Sequence, residues 1–280
     1  MPKPSNARPR EGALNNYWLA LLGIGFVAAT LIYLLAWRIQ LMALVDVVWT
    51  AGLGIAAIGY LVNMVEPTLR SYAVLAVLLV WSGRLSTYLI RNRVLSGKED
   101  PRYAYLTAHW GKNARRNYYP LFLLQVLLVT LFMSPVSIAM TAIDAPWGLF
   151  DWLGIAIALC ALLGEHTADR QLANFRATPA NQGQVCQQGL WRYSRHPNYF
   201  FEWLHWWAYV AFAAHSSQWA FTLLGPASIY LFLRFLTGVP HAERSSLLSR
   251  GAAYKRYQLT TNTFFPWKPH QPNQHQAELH

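Results

Sequence analysis

Charge is what this sequence has least of. Asp, Glu, Lys and Arg make up 12% of its 280 residues, about half of the roughly 25% carried by soluble domains. The acidic side is thinner still, with 12 Asp and Glu against 23 Lys and Arg and a net charge of +11. Cysteine is nearly missing. Cys160 and Cys186 alone exclude a disulfide framework, and no Cys-x-x-Cys pair offers a zinc site. Cys160 lies in an apolar run and reads as a small buried hydrophobe. No phosphate-binding glycine turn follows a strand pattern. Gly52-Leu-Gly54 sits inside an apolar helical run and reads as close helix packing. Nucleophile elbows, heptads and internal repeats are absent. The nine His form no clustered boxes, and Glu202-x-x-His205 and His241-Ala-Glu243 stand as isolated pairs, so no metal is expected.

What fills the chain instead is apolar. Hydrophobic residues make up 54%, with 13 Trp, 15 Tyr and 13 Phe, which excludes disorder and argues against a soluble globule. Excess positive charge would suggest nucleic acid in a soluble chain. In a membrane chain it marks basic cytoplasmic loops, so no nucleic-acid partner is expected.

A membrane span needs about 20 mostly apolar residues. The sequence supplies such stretches at 17–37, 41–65, 70–90, 119–140 and 147–168. The longer stretch 199–239 is split by the polar break His215-Ser-Ser-Gln218 into spans at 199–213 and 218–238. The fold class expected is therefore all-α, a polytopic membrane helix bundle of about seven spans, or six if the first is peripheral. One domain would run over 17–268, between disordered tails at 1–16 and 269–280. The first span reads as uncleaved rather than as a signal peptide. The linkers 91–118 and 169–198 are polar and long enough to fold against the membrane. With the N-terminus outside, seventeen Lys and Arg fall on inner segments and four on outer ones, which favours a cytoplasmic C-terminus.

In that orientation Asp46, Arg84, Glu165, Glu202 and Arg234 lie near the inner ends of five different spans. Charges within a bilayer cost several kcal/mol unless paired or wetted. Arg84 and Arg234 could snorkel, but short carboxylates reach less far, and a polar cavity open to the cytoplasm accounts for all five. The densest segment is 165–202. Pro197 suits the first position of a helix. Asn198, Glu202, His205/Trp206 and Tyr209 then recur on one face, which should look towards protein or ligand rather than lipid, as a ligand site or as an internal hydrogen-bond network. Arg192, Arg195 and His196 stand just before that helix, where cations and a helix N-terminus suit an anion.

At these residues the sequence resembles the steroid 5-alpha-reductase superfamily, closest to its largely uncharacterised bacterial branch of membrane proteins related to sterol C14-reductases and isoprenylcysteine methyltransferases. The run GLWRYSRHPNYFFEWLHWW, from Gly189 to Trp207, carries most of the likeness. Further matched islands are Asp46-Val-Val-Trp49, Trp81-x-x-Arg84-Leu-Ser, Glu99-Asp-Pro-Arg-Tyr103, Asp169-x-Gln-Leu172, Phe175-Arg176, Gly238-Val-Pro240 with Glu243, Tyr254, Tyr257 and Phe265-Pro266. Where the family usually has Gly, this chain has Phe201, and a ring there narrows the backbone approach beside Glu202.

The resemblance implies a seven-helix enzyme that uses NADPH from the cytosolic side to reduce an activated carbon–carbon double bond in a lipid-like enone, with the cofactor-binding half at about 147–268. It implies cofactor contacts from Asp169, Arg176, Tyr193 and Asn198, with Arg195 and His196, alongside Arg192, near phosphates, and Glu243 and Tyr254 in the same half. Tyr88-Leu-Ile-Arg91 resembles a Tyr-x-x-Arg pair of the steroid enzymes, which implies a catalytic role for Tyr88 and a cofactor contact for Arg91. Their acidic partner for the substrate carbonyl corresponds to Asp46, with Glu66 as rival, and Glu202 is the further carboxyl assigned to catalysis. A Tyr hydroxyl oriented by a carboxyl can stabilise the charge that grows on the enone oxygen. The runner-up is a membrane methyltransferase using S-adenosylmethionine, which shares Arg-His-Pro-x-Tyr and the later Glu243, Tyr254 and Tyr257. Asn198 favours the reductase. A third reading is a lipid-binding protein without chemistry. The partners expected are a lipid-like small molecule and membrane lipids, and the location a bacterial plasma membrane.

Overall fold

A computed structural model describes residues 11–142 and 144–270, with side chains described from residue 16 onward. Within these residues the secondary structure is helical, with no strand. The helices are α1 (Glu11–Ile39), α2 (Leu44–Val62), α3 (Leu69–Leu89), α4 (Pro101–Trp110), α5 (Ala114–Met140), α6 (Leu149–Ala177), α7 (Pro197–Phe212), α8 (Leu224–Leu231) and α9 (Val239–Thr260). Five-residue π-turns extend α3 over Ile90–Val94 and α8 over Phe232–Leu236. The tails expected at 1–16 and 269–280 lie largely outside the described residues, although α1 already begins at Glu11.

Six helical stretches are long and apolar enough to cross a membrane: Asn16–Ile39, Leu44–Val62, Leu69–Val94, Pro101–Met140, Leu149–Ala177 and Trp219–Thr260. The chain is thus an all-helical membrane protein. The segment expected to span at 199–213 forms α7, a helix of 16 residues. It starts at Pro197, as its fixed φ and missing N–H favour, and the chain turns through the polar His215–Gln218 break.

The chain divides into two compact units. The first holds the described residues up to Leu153 together with Tyr209–Gly225; the second holds Gly154–Ala208 and the described residues from Pro226. In the first unit α2 packs on α3 and α5, and α1 on α5. Small residues let these helices approach. A side chain at Gly54 would meet Ser82 Oγ at 2.6 Å, and one at Gly52 would meet Val129 Cγ2 at 3.1 Å. Gly52-Leu-Gly54 is therefore a packing motif between helices. Hydroxyls add polar links between α2 and α3: Ser82 donates to the Thr50 carbonyl (2.7 Å), and Thr50 and Ser86 share a hydrogen bond of 2.9 Å. Trp49 meets Trp81 edge-on (5.5 Å between centroids) and Phe132 likewise (5.6 Å), so two of the matched islands touch.

The ends of α2 and α3 are fixed by capping. Thr68 and Ser71 close a reciprocal capping box at the start of α3. Helix α2 has no cap of its own. Glu99 supplies one from a distance, accepting the Met42 and Ala43 N–H groups. Arg70, buried at the start of α3, forms a two-pronged pair with Asp151 (2.5 and 2.9 Å) and donates to the carbonyls of Ala142, Ala145 and Pro146.

In the second unit, Cys186 packs with Phe175 and Trp191. Cys160, by contrast, is exposed on α6, which corrects the expectation of burial. An apolar residue on a membrane helix can face lipid instead of protein, so hydrophobicity does not imply an interior position. Phe201 lies against Gly164, where an added Cβ would come within 2.3 Å of the ring. The Phe201 ring is thus accommodated by a glycine on α6.

Candidate functional site

Two polar clusters collect the residues singled out above, one in each unit. In the first unit, Asp46 lies in the opening turn of α2, where a carboxylate suits the partial positive charge of a helix N-terminus. It is held from α4: Tyr103 Oη donates to Asp46 Oδ1 at 2.7 Å, and Arg102 Nη2 to Oδ2 at 2.8 Å. Arg102 also grips Asp100, which caps α4 at the Arg102 N–H, and Arg93 reaches Asp100 at 3.1 Å. Burial would raise the Asp100 carboxyl, but its hydrogen bonds and the charges of Arg102 and Arg93 hold it below the usual carboxylate range. The hydroxyl seated on Asp46 is therefore that of Tyr103. Tyr88 lies 47% exposed near the end of α3, and Arg91 is exposed in the following π-turn.

In the second unit, the cluster forms around the N-terminus of α7. Gly189, in the left-handed region at φ +57°, turns the chain beneath Gln171, whose Oε1 accepts the Leu190 N–H at 2.9 Å. Trp191 Nε1 then donates to the Ala168 carbonyl at 2.9 Å. These contacts fasten the segment before α7 onto α6. Between Ala168 and Gln171 on α6, Asp169 Oδ1 accepts from Asn198 Nδ2 at 3.2 Å.

Arg195 is buried and engaged on almost every side. Its Nε meets Glu243 Oε1 at 2.7 Å. Nη1 donates to the carbonyls of Gln258 (3.0 Å) and Thr261 (2.6 Å), and Nη2 to Thr263 Oγ1 at 2.8 Å. Helix α9 turns at Gly251, φ +50°. Its first part carries Glu243, and its last turns carry Tyr254, Tyr257 and Gln258. Gln258 Nε2 completes the ring of contacts by donating to Glu243 Oε2 at 2.9 Å. Tyr257 Oη donates to the carbonyls of Trp191 and Ser194. His196 stacks on Tyr199 with centroids 5.3 Å apart, and lies 3.4 Å from Glu243. Burial lowers its basicity more than Glu243 raises it, so the ring stays neutral near pH 7.

The expected stripe on α7 is present. Glu202, His205, Trp206 and Tyr209 are all buried, and Asn198 is half-buried. Tyr193, Arg192 and Arg176 are exposed, while Tyr254 and Glu165 are buried. Of the five span charges, Asp46 and Arg84 belong to the first unit and Glu165, Glu202 and Arg234 to the second. Among the described residues no group of three or more His, Cys, Asp or Glu could hold a metal ion.

These placements coincide with a family match. Residues 32–261 match DUF1295, described as a protein family of unknown function. The chain belongs to the DUF1295 family. This family is steroid 5-alpha-reductase-like, and its match covers both clusters. An uncharacterised protein of Schizosaccharomyces pombe is 28% identical over 218 residues, or 67% of this chain. The chain spans about 60% of the length of that yeast relative. No solved structure matches the chain.

Sequence reasoning missed the partners rather than the sites. Glu99, Arg102 and Tyr103 of this DUF1295 chain stood in a matched island without a role. The Asp-Pro step, a strong helix-start signal, could have placed Arg102 and Tyr103 on the first turn of a short helix. Gln258 gave no signal, because its role depends on the fold of α9 after Gly251.

Proposed function

We propose that the chain is an integral membrane oxidoreductase that uses NADPH to reduce an activated carbon–carbon double bond in a lipid-like enone, within the bacterial branch of its superfamily. The observation that carries this reading is the convergence of Asp169, Arg195–Asn198, Glu243 and Gln258 around the start of α7. These residues are separated in sequence, and most fall in the islands by which the chain resembles the reductases.

The residues fit a nicotinamide cofactor by donor chemistry. The Asn198 amide is half-buried and anchored on Asp169, and its nitrogen carries a second proton suited to a carboxamide. Arg176 and Arg192 are exposed cations suited to phosphates. Arg195 and Glu243 would act as positioning residues, since their polar atoms hold one another and the end of α9. When bound, NADPH would supply a hydride to the β-carbon. Tyr88 would donate a hydrogen bond to the enone oxygen. Asp46, held by Arg102 and Tyr103, would supply the acidic partner for the substrate carbonyl, and Glu202, buried on α7, is the further carboxyl that we assign to catalysis.

Thermal unfolding of the purified protein with added cofactor tests this. NADPH at about 100 times its Kd should stabilise by about 2.7 kcal/mol, and Asn198→Ala should abolish the shift. Stabilisation by S-adenosylmethionine instead would replace the reductase with a methyltransferase. Stabilisation by neither would favour a lipid-binding protein without chemistry.

A further inference from the structure

The second unit contains a cavity of about 310 Å³ beside the residues that hold Arg195, lined by Tyr230, Arg234, Asn262, Thr263, Phe264, Phe265 and Trp267. Its walls are aromatic and ordered. Tyr230 meets Phe264 edge-on at 5.1 Å between centroids and Phe265 at 5.9 Å, and Trp203 closes on Phe265 at 5.4 Å. Two polar groups are set into this apolar frame. Arg234 is partly buried, and its guanidinium sits over the Phe235 ring, 5.1 Å from the centroid; no carboxylate pairs with it among the described residues. Asn262 spends its carbonyl on the Arg195 N–H, while its side-chain Nδ2 is buried without a hydrogen-bond partner. A buried donor left unmade costs about 1–3 kcal/mol, and an unpaired cation at membrane depth costs more. Arg234 rides on the π-turn Phe232–Leu236, a local widening that recurs at functional sites because it displaces side chains from the regular helical surface.

Trp267 is 75% exposed and Phe235 55%, and Arg234 and Phe235 lie in the candidate membrane stretch Trp219–Thr260. A Trp beside a cation on such a stretch fits the level where acyl chains meet headgroups. We infer that this cavity is a binding site for an anionic phospholipid, whose phosphodiester is held by Arg234 and the Asn262 amide and whose upper chain lies along Tyr230, Phe264, Phe265 and Trp267. The charge balances, the buried donor gains an acceptor, and the aromatic surface is covered. The site does not depend on the reductase reading.

The test is native mass spectrometry of the full chain released from bilayers of equal parts phosphatidylglycerol and phosphatidylcholine. The wild type should retain phosphatidylglycerol in preference. Arg234→Gln should lower that preference about tenfold, the usual scale for losing a charge-assisted contact. Arg234→Lys should keep much of it, and its melting temperature controls for folding. Asn262→Leu, read in the same way, should weaken retention with Arg234 intact. Equal retention of both lipids, or a preference that survives Arg234→Gln, would overturn the inference. So would displacement of the lipid by inorganic phosphate alone, which would make the cavity a site for soluble phosphates.

Discussion

Arg195 illustrates how a residue type can suggest one role and its surroundings another. Beside a helix N-terminus an arginine invites an anion, yet here the guanidinium ties Glu243 to the final turn of α9. Removing it would leave a largely buried carboxylate without its cation, a change that costs about 3–5 kcal/mol. Arg195→Ala should therefore destabilise the protein by that order in denaturant titrations in detergent. Arg195→Lys should recover little, because a single ammonium cannot fork to Glu243, Gln258 and Thr261 together. An unchanged midpoint in Arg195→Ala would return this side chain to the candidate phosphate contacts. Its neighbour sets a pH limit. The folded state holds His196 below its ordinary basicity, so as pH falls the unfolded chain takes up the proton first. Stability should then be flat above the ordinary histidine value of about 6.5 and fall below it. His196→Gln should flatten that acid-side slope in melting curves recorded across the same range.

At the scale of helices, the pairing of Gly164 with Phe201 is the sharpest constraint. A methyl at Gly164 would stand 2.3 Å from the Phe201 ring, so Gly164→Ala should cost about 1–3 kcal/mol by overpacking. Gly164→Ala combined with Phe201→Gly should be less harmful than the sum of the two. Additive costs in that double-mutant cycle would mean that the ring and the glycine do not depend on each other. The start of α2 gives a second measurement: Glu99→Ala leaves the Met42 and Ala43 N–H groups just before the helix without their acceptor and should cost about 1 kcal/mol. The helices were legible in the sequence because apolar runs must span and Pro, Gly and polar breaks must end them. The helix start at Pro197, the break at His215–Gln218 and the closeness of α2 to its neighbours at Gly52 and Gly54 all followed from local chemistry. The exposure of Cys160 did not follow, since lipid and protein reward the same apolar side chain. Nor did the Tyr103–Asp46 bond: the resemblance pointed to Tyr88 and left Tyr103 without a role, and only the return of α4 onto the start of α2 brings the Tyr103 hydroxyl to the carboxylate.

For the whole molecule, the open quantity is parity. Six stretches reach crossing length, while α7 has 16 residues. At 1.5 Å per residue such a helix extends about 24 Å, short of the roughly 30 Å hydrocarbon layer. A shortfall of this size is met by local thinning at fractions of a kcal/mol per Å, so α7 can still cross. Its return partner after the Gln218 turn is the broken helical stretch that carries Arg234. If both cross, the total is odd and the two ends of the chain lie on opposite faces; if the return stretch crosses without α7, both ends lie on one face. The charge distribution argues for the odd count, because seventeen of the Lys and Arg then lie on one side, as positive-inside bias requires. Paired reporters, a periplasm-active phosphatase and a cytoplasm-active fluorescent protein, fused before α1 and after Lys268, read this directly. We expect phosphatase activity from the first position and fluorescence from the second. Fluorescence at both ends would remove α7 from the membrane and place the Asn198–Asp169 cluster at its N-terminus on the outer face, whereas phosphatase activity at both would remove α7 and leave that cluster cytoplasmic.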